Sequence, residues 1–292
     1  MYFTQYNGIK TFYSDTYDTL MRHEAQNVIP LGNIINAMKG LLDPADWFMA
    51  TVSVADRIIL TAVMTPPHRI TLYATDNVYD ESALHCLLDG IEQANVHVPG
   101  VMSEKALAMM FAKAFAARHN VEYKEGINLR LFELTYVNPE IPQTGAVRLA
   151  ADKDMAFYPY WEEGFYGECF NGDFAVGGDA EVYHNNIARG HIYILEADGM
   201  PVSMAKITRE MQTVACISGV YTPPCFRGRG YASACVAAVS QIILDKGYTK
   251  SVLFTDLANP TSNSIYMKIG YVPICDSLEI DFVADDSAVR SS

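Results

Sequence analysis

The stretch Val220–Ala234, VYTPPCFRGRGYASA, decides how this chain is read. An apolar run, VACISGV from Val214, leads into it, two prolines interrupt it, and an alanine-rich segment follows at once. The pattern is strand, turn, helix, with Gly228 and Gly230 at the helix start. Glycine disfavours a helix by about 1 kcal/mol relative to alanine, so two of them there need a reason. The first N–H groups of a helix have no intrahelical partners, and with the helix dipole they attract an anion. Glycines clear the side chains that would keep a phosphate away. Arg227 and Arg229 add positive charge beside it.

Three phosphate loops compete. A nucleoside-triphosphate loop needs G-x-x-x-x-G-K-[ST], which the chain lacks. A dinucleotide fingerprint needs G-x-G-x-x-G; here Ser233 stands at the third glycine, and no acidic residue closes a following strand at the usual spacing. That disfavours a nicotinamide-dependent oxidoreductase. The third is the coenzyme A loop of the GNAT superfamily, Q/R-x-x-G-x-G/A, which Cys225-Phe-Arg-Gly228-Arg-Gly230 resembles at its last two fixed positions but not at Cys225. The family's second signature, N-x6-Y-x-K-x-G-F/Y, is matched in order by Asn259, Tyr266, Lys268, Gly270 and Tyr271. The resemblance covers about Gly145 to Val283. As a whole the chain resembles bacterial two-domain acetyltransferases of that superfamily.

The resemblance implies an α/β fold of two tandem GNAT-like units, each a mixed, mostly antiparallel sheet flanked by helices. The units expected are 1–142, a degenerate copy, and 143–292, the acetyl-CoA-binding catalytic domain. The boundary reading rests on VNPEIPQTG, Val137–Gly145, rich in turn formers between apolar segments. A V-x-T-P-P echo, at Val63 and again at Val220, supports duplication, with His68-Arg69-Ile70 where the glycines stand in the second copy.

By the same resemblance the backbone of Val220, Tyr221 and Thr222 bonds the pantetheine arm. Arg227, Gly228, Arg229, Gly230, Tyr231 and Ala232 cradle the pyrophosphate. Asn259 lines the coenzyme A arm, although it also reads as an N-cap before Pro260. Ser262 and Asn263, one turn on, face either the cofactor or solvent. Tyr266 is expected to protonate the departing thiolate as general acid; the alternative is a packed helix tyrosine. The implied activity is transfer of an acetyl group from acetyl-CoA to a primary amine, on a small molecule or a peptide, within a ternary complex. A sensor or scaffold that binds acyl-CoA without turnover is the alternative.

The general base stays open among Glu168, Asp173, Glu210, Asp256 and a water chain. His191, at a strand start, reads as structural, and Cys225 as an ordinary loop thiol. FYPYWEEGFYGECF, Phe157–Phe170, is either an aromatic, acidic acceptor wall or an amphipathic helix packed on the sheet.

Local pattern fills in the rest. Helices are expected over SDTYDTLMRHEAQNVI, capped by Ser14 or Asp15, over ESALHCLLDGIEQA, and over SEKALAMMFAKAFAARHN, capped by Ser103. A helix interrupted at Pro159 is expected from Asp152, and a hairpin around Asp198-Gly199.

The net charge of −13 is spread evenly, with 10 Lys+Arg against 16 Asp+Glu up to residue 142 and 11 against 18 beyond it. Such a surface repels nucleic acid and anionic membrane, so neither is expected as a partner. None of the six cysteines forms a C-x-x-C pair, so no metal is expected. There is no signal-peptide pattern at the start and no long apolar run, which reads as a cytoplasmic protein. Tandem units are expected to take the place of a homodimer.

Overall fold

The computed structural model describes residues 1–169 and 179–283. The chain divides into two compact units: Met1–Leu131 with residues 255–258 and those from Ile274 on, and Phe132–Phe254 with Asn259–Pro273.

The first unit opens with β1 (Tyr2–Tyr6), α1 (Ile9–Met21), α2 (Val28–Met38), β2 (Phe48–Val54), β3 (Arg57–Met64) and β4 (Ile70–Ala74). It continues with α3 (Glu81–Gln93), β5 (Gly100–Glu104), α4 (Lys105–His119) and β6 (Glu122–Leu134). In the second stretch come β7 (Ala146–Leu149), α5 (Tyr158–Cys169), α6 (Ala180–Ala188), β8 (Ile192–Ala197), β9 (Met200–Glu210) and β10 (Val214–Tyr221). There follow α7 (Tyr231–Asp245), β11 (Lys250–Asp256), α8 (Pro260–Ile269) and β12 (Val272–Val283). The two runs repeat one order of elements, β-α-α-β-β-β-α-β-α-β. The fold is therefore α/β, two units of one topology in tandem.

The sheet of the first unit runs β1-β2-β3-β4-β5-β12-β6. All its assigned registers are antiparallel except β4 with β5, which pair in parallel over Ile70 and Thr71. Apolar faces of β2 to β5, α3 and α4 close one core around Leu87, Leu88, Val101 and Phe111. Ile274 onward supplies an interior strand: Ser277–Asp281 pairs with Gly100–Glu104. Two forked ion pairs hold it, Arg69 on Asp281 at 2.6 and 2.8 Å and Arg130 on Asp276 at 2.7 and 2.9 Å.

The sheet of the second unit runs β11-β10-β9-β8-β7, antiparallel apart from β10 with β11. One face packs α7, whose small Ala234, Cys235 and Ala237 let the helix lie close. The other packs Tyr158, Trp161, Tyr183 and Ile187 of α5 and α6 on Ile192, Ile194 and Met204.

Several local expectations change. Ser103 is not a cap: it lies in β5, its hydroxyl bonds Leu72 O at 2.7 Å, and Glu104 caps α4 by accepting from Ala106 and Leu107 N–H. Helix α1 begins five residues before Ser14, after Gly8, because Phe12, Thr16 and Leu20 already form its buried stripe. Pro159 does not interrupt a helix. It sits in the first turn of α5, where its missing N–H costs nothing, after a separate 3-10 turn at Asp152–Ala156. The V-x-T-P-P echo joins strands that are not equivalent, since Val63 ends β3 and Val220 ends β10. In element order the counterpart of β10 is β4, so the counterpart of the glycine loop is Thr75–Asp80, not His68–Ile70.

Candidate active site

Strand β10 pairs with β11 from Val214 to Ile217 and has no assigned partner residue there beyond it. On its other side the register against β9 slips between Ser218 and Tyr221. The end of β10, with Val220, Tyr221 and Thr222 half-buried, is thus splayed from its parallel neighbour. Thr222 is fixed by its hydroxyl at 2.8 Å from Ser203 Oγ, which donates to Tyr221 O at 3.1 Å.

The chain then makes a 3-10 turn at Pro224–Phe226 and enters α7 through Gly228 (φ +76°) and Gly230 (φ +81°). Gly230 is the N-cap and has no side chain to act as acceptor, so among the described residues α7 starts with no capping hydrogen bond. A side chain there would need the left-handed region that L-residues avoid. Ala234 N–H is the first to find an intrahelical carbonyl, that of Gly230 at 3.0 Å. Among the described residues the N–H groups of Gly228 to Ser233 have no acceptor, and the glycine positions are exposed.

The two arginines differ. Arg229 is exposed and makes no ion pair among the described residues. Arg227, by contrast, is occupied. Its Nε donates to Thr222 O at 2.8 Å, and its Nη2 donates to both oxygens of Glu168 at 2.7 and 2.9 Å. The guanidinium also lies 5.7 Å from the centre of the Tyr221 ring.

Asn259 caps α8: its side chain accepts from Ser262 N–H at 3.0 Å, and Asn263 donates to Asn259 O at 2.7 Å. Both α8 and Val220, Phe226 and Tyr231 pack into one apolar cluster with Tyr266, so the structure gathers loop, splayed strand and tyrosine in the same unit. Tyr266 is 8% exposed, between Phe132 and Tyr271. Burial first, and Cys169 second, push its phenol above the ordinary value of 10, while a Ser262 hydrogen bond opposes the shift. It is therefore a proton-bearing donor at every ordinary pH.

Gly270 and Tyr271 of the second signature are structural. Gly270 has φ +117°, and a Cβ there would come within 2.8 Å of Tyr136 O. The Tyr271 hydroxyl lies 2.8 Å from Ser240 and 2.7 Å from Ser251, joining α7 to β11.

The acidic candidates separate. Glu210 pairs with Lys246, Asp256 accepts Ala258 N–H at 2.8 Å, and Glu168 holds Arg227. Asp173 lies outside the described residues. His191 sits half-buried beside Lys206 and is held low by burial. One pair escaped sequence reasoning: Glu162 of α5 and Lys206 of β9, both buried and in direct contact, with Lys206 also facing the Tyr158 ring. The acidic, aromatic run from Phe157 is thus partly a packed face and partly, at Glu168, a wall beside the loop. Among the described residues no cluster of metal-binding side chains exists, and no helix is long and apolar enough to cross a membrane.

Residues 155–271 match the sequence profile of the Acetyltransferase (GNAT) family. No curated protein matches the chain by sequence. Among solved structures, the chain is similar to a GCN5-related N-acetyltransferase from Sphaerobacter thermophilus (TM-score 0.63, 14% identity, 97% of this chain and 96% of that one). It is also similar to an acetyltransferase of the GNAT family from Colwellia psychrerythraea (0.57, 12%, 97% and 100%). A tandem GNAT protein from the clavulanic acid biosynthesis pathway is likewise similar (0.57, 12%, 97% and 98%). At these identities the likeness is one of fold.

Proposed function

We propose that this chain, whose residues 155–271 belong to the acetyltransferase (GNAT) family, transfers an acetyl group from acetyl-CoA to a primary amine. The observation that carries the reading is the open start of α7, six successive N–H groups from Gly228 to Ser233 without acceptors among the described residues, directly after a splayed strand. Such an array binds a pyrophosphate. Arg227 immediately precedes it, Arg229 lies within it, and Tyr231 and Ala232 belong to the first turn of α7. The free side of β10 at Val220, Tyr221 and Thr222 accepts an amide-bearing arm as a strand accepts a partner. Asn259, Ser262 and Asn263 line that arm from the start of α8.

Acetyl-CoA supplies the activated acyl group, a thioester. The N–H groups near Val220 stabilise the oxyanion that forms when the amine adds to its carbonyl. The Tyr266 hydroxyl donates toward the leaving sulfur, and its raised pKa keeps it protonated until charge develops there.

Thermal unfolding with acetyl-CoA, coenzyme A, ATP and NAD in parallel tests the reading. A ligand at 100 times its dissociation constant stabilises by about 2.7 kcal/mol. Stabilisation by both coenzyme A species supports it. Stabilisation by NAD or ATP alone, or by none, overturns it.

A further inference from the structure

Arg227 sits where a ligand's positive charge belongs. Its guanidinium is held by the Glu168 carboxylate, by the Thr222 carbonyl and against the Tyr221 ring. A carboxylate, a carbonyl oxygen and an aromatic face together are the set that recognises an ammonium group. The same arginine immediately precedes Gly228, the first residue of the open N–H array. It therefore stands between two sites of opposite demand, an anion site that wants a cation at its rim and a cation site that Arg227 itself fills.

We propose that Arg227 is an internal stand-in for the acceptor's ammonium group, and that cofactor binding evicts it. In the free protein it occupies the Glu168–Tyr221–Thr222 site. When a pyrophosphate settles on Gly228–Ser233, its charge draws Arg227 away and leaves that site open to a cationic primary amine. The proposal rests on the acetyltransferase reading above and adds to it the acceptor's charge and the residues that hold it.

The exchange is cheap by construction. Both partners are about half exposed, 45% for Arg227 and 51% for Glu168, so water screens the pair and holds it weakly. A pyrophosphate carries more charge than one carboxylate and offers more acceptor oxygens, so it wins the guanidinium. The Glu162–Lys206 pair in the same wall shows the contrast. At 7% and 9% exposure its charges would be stranded if separated, so it stays as a fixture while the Arg227 pair moves. Because the evicted state is the one that binds ammonium, each ligand raises the other's affinity by the same factor. The ammonium gives one proton to water before it attacks and the amine gives a second, by way of solvent and Tyr266, to the departing thiolate. The neutral amide left behind no longer carries the charge that Glu168 holds, which favours product release.

Glu168→Gln makes the test, read by calorimetry. With the competing charge gone, Arg227 is free in advance, so the variant is expected to bind coenzyme A about three- to tenfold more tightly than the parent protein. Acetyl-pantetheine, which lacks phosphates, is expected to bind both equally. In the parent protein, n-butylamine is expected to bind at least threefold more tightly with coenzyme A saturating than without it, and Glu168→Gln is expected to abolish that gain. Equal or weaker coenzyme A binding by the variant overturns the exchange. So does a parallel gain for acetyl-pantetheine, which would mark a general structural effect. Butylamine binding that ignores coenzyme A overturns the ammonium site. Failure of the parent protein to bind coenzyme A at all overturns the acetyltransferase reading beneath it.

Discussion

The two units thread the same order of elements, yet their crossover helices start in opposite ways. In the first unit α3 begins at Asp80, whose carboxylate accepts from Ser82 and Ala83 N–H at 2.8 and 3.2 Å. Its neighbour Tyr79 donates to Glu104, the residue that ends β5 and caps α4. In the second unit α7 follows its N-cap Gly230 with no side-chain cap among the described residues, and α8 is capped by a neutral Asn259. The first unit answers the N–H groups at both helix starts with its own acids; the second leaves those at the start of α7 without an acceptor among the described residues. A shared order of elements therefore does not carry shared helix starts. The residues at two helix starts separate a unit whose first turns are capped by its own side chains from one with an open turn at α7.

The units also differ in what completes them, and breaking that difference has the largest expected effect. The first unit takes its strand between β5 and β6 from residues 274–283. A chain ending at Pro273 would leave β5 and β6 as unpaired edges and would strand Arg69 and Arg130 without their carboxylates. Loss of cooperative unfolding and aggregation are expected, followed by circular dichroism during heating. A chain ending at Val283 serves as control. A cooperative transition surviving in the shorter chain would show that the first unit stands without β12.

Next in size is a transplant. Gly230→Asp gives α7 the acidic cap that α3 already has, and Asp tolerates the left-handed backbone better than most residues. The carboxylate would take the N–H groups and repel a phosphate. Coenzyme A affinity is expected to fall at least about 100-fold, or 2.7 kcal/mol, in a titration calorimeter, with the unfolding midpoint little changed. Unaltered affinity would remove the start of α7 from the binding site.

Much of this contrast could be read from the chain, and the rest could not for identifiable reasons. The strand–glycine–helix pattern at Val214–Asp245 and the Asn259 cap are local, with both partners within a few residues, so the sequence displays them. Asp80 is local too, but the V-x-T-P-P echo sets His68, not Asp80, opposite the glycine loop, because a five-residue match carries no information on strand order. Helix α2 was hidden by its composition: VIPLGNIINAM combines Pro30, Gly32 and two asparagines with buried apolar positions. Glu168 with Arg227, Glu162 with Lys206 and Tyr271 with Ser240 and Ser251 are separated by 59, 44, 31 and 20 residues. Such pairs depend on tertiary packing, which no periodicity reports.

Tyr266 sharpens the comparison at the level of chemistry. Tyr266→Phe keeps the ring between Phe132 and Tyr271 and removes only the hydroxyl. Turnover of acetyl-CoA with an amine is expected to fall at least about tenfold, a floor set below the roughly 100-fold or more that a positioned general acid contributes. Coenzyme A affinity is expected to stay within twofold. An unchanged kcat would make Tyr266 a packing residue and leave the thiolate to leave unaided.

The smallest effect is expected from the reverse transplant. Asp80→Ala uncovers the N–H groups of Ser82 and Ala83, and loss of such a cap costs about 1 kcal/mol of stability. It is not expected to create coenzyme A binding in the first unit. The two left-handed residues of that unit's loop, Asp76 and Asn77, would still carry side chains where α7 has glycines, the cap position would still be extended (Asp80 φ −124° against Gly230 φ +81°), and Tyr79 would still donate to Glu104 between the counterparts of β10 and α8. Calorimetry of the double variant Gly230→Asp/Asp80→Ala isolates the first unit. Silence toward coenzyme A there would mean that an open helix start is necessary but insufficient, with the glycine turn and the cleared cleft as equal parts of the site. A heat of binding would mean that a single carboxylate is all that distinguishes the two units.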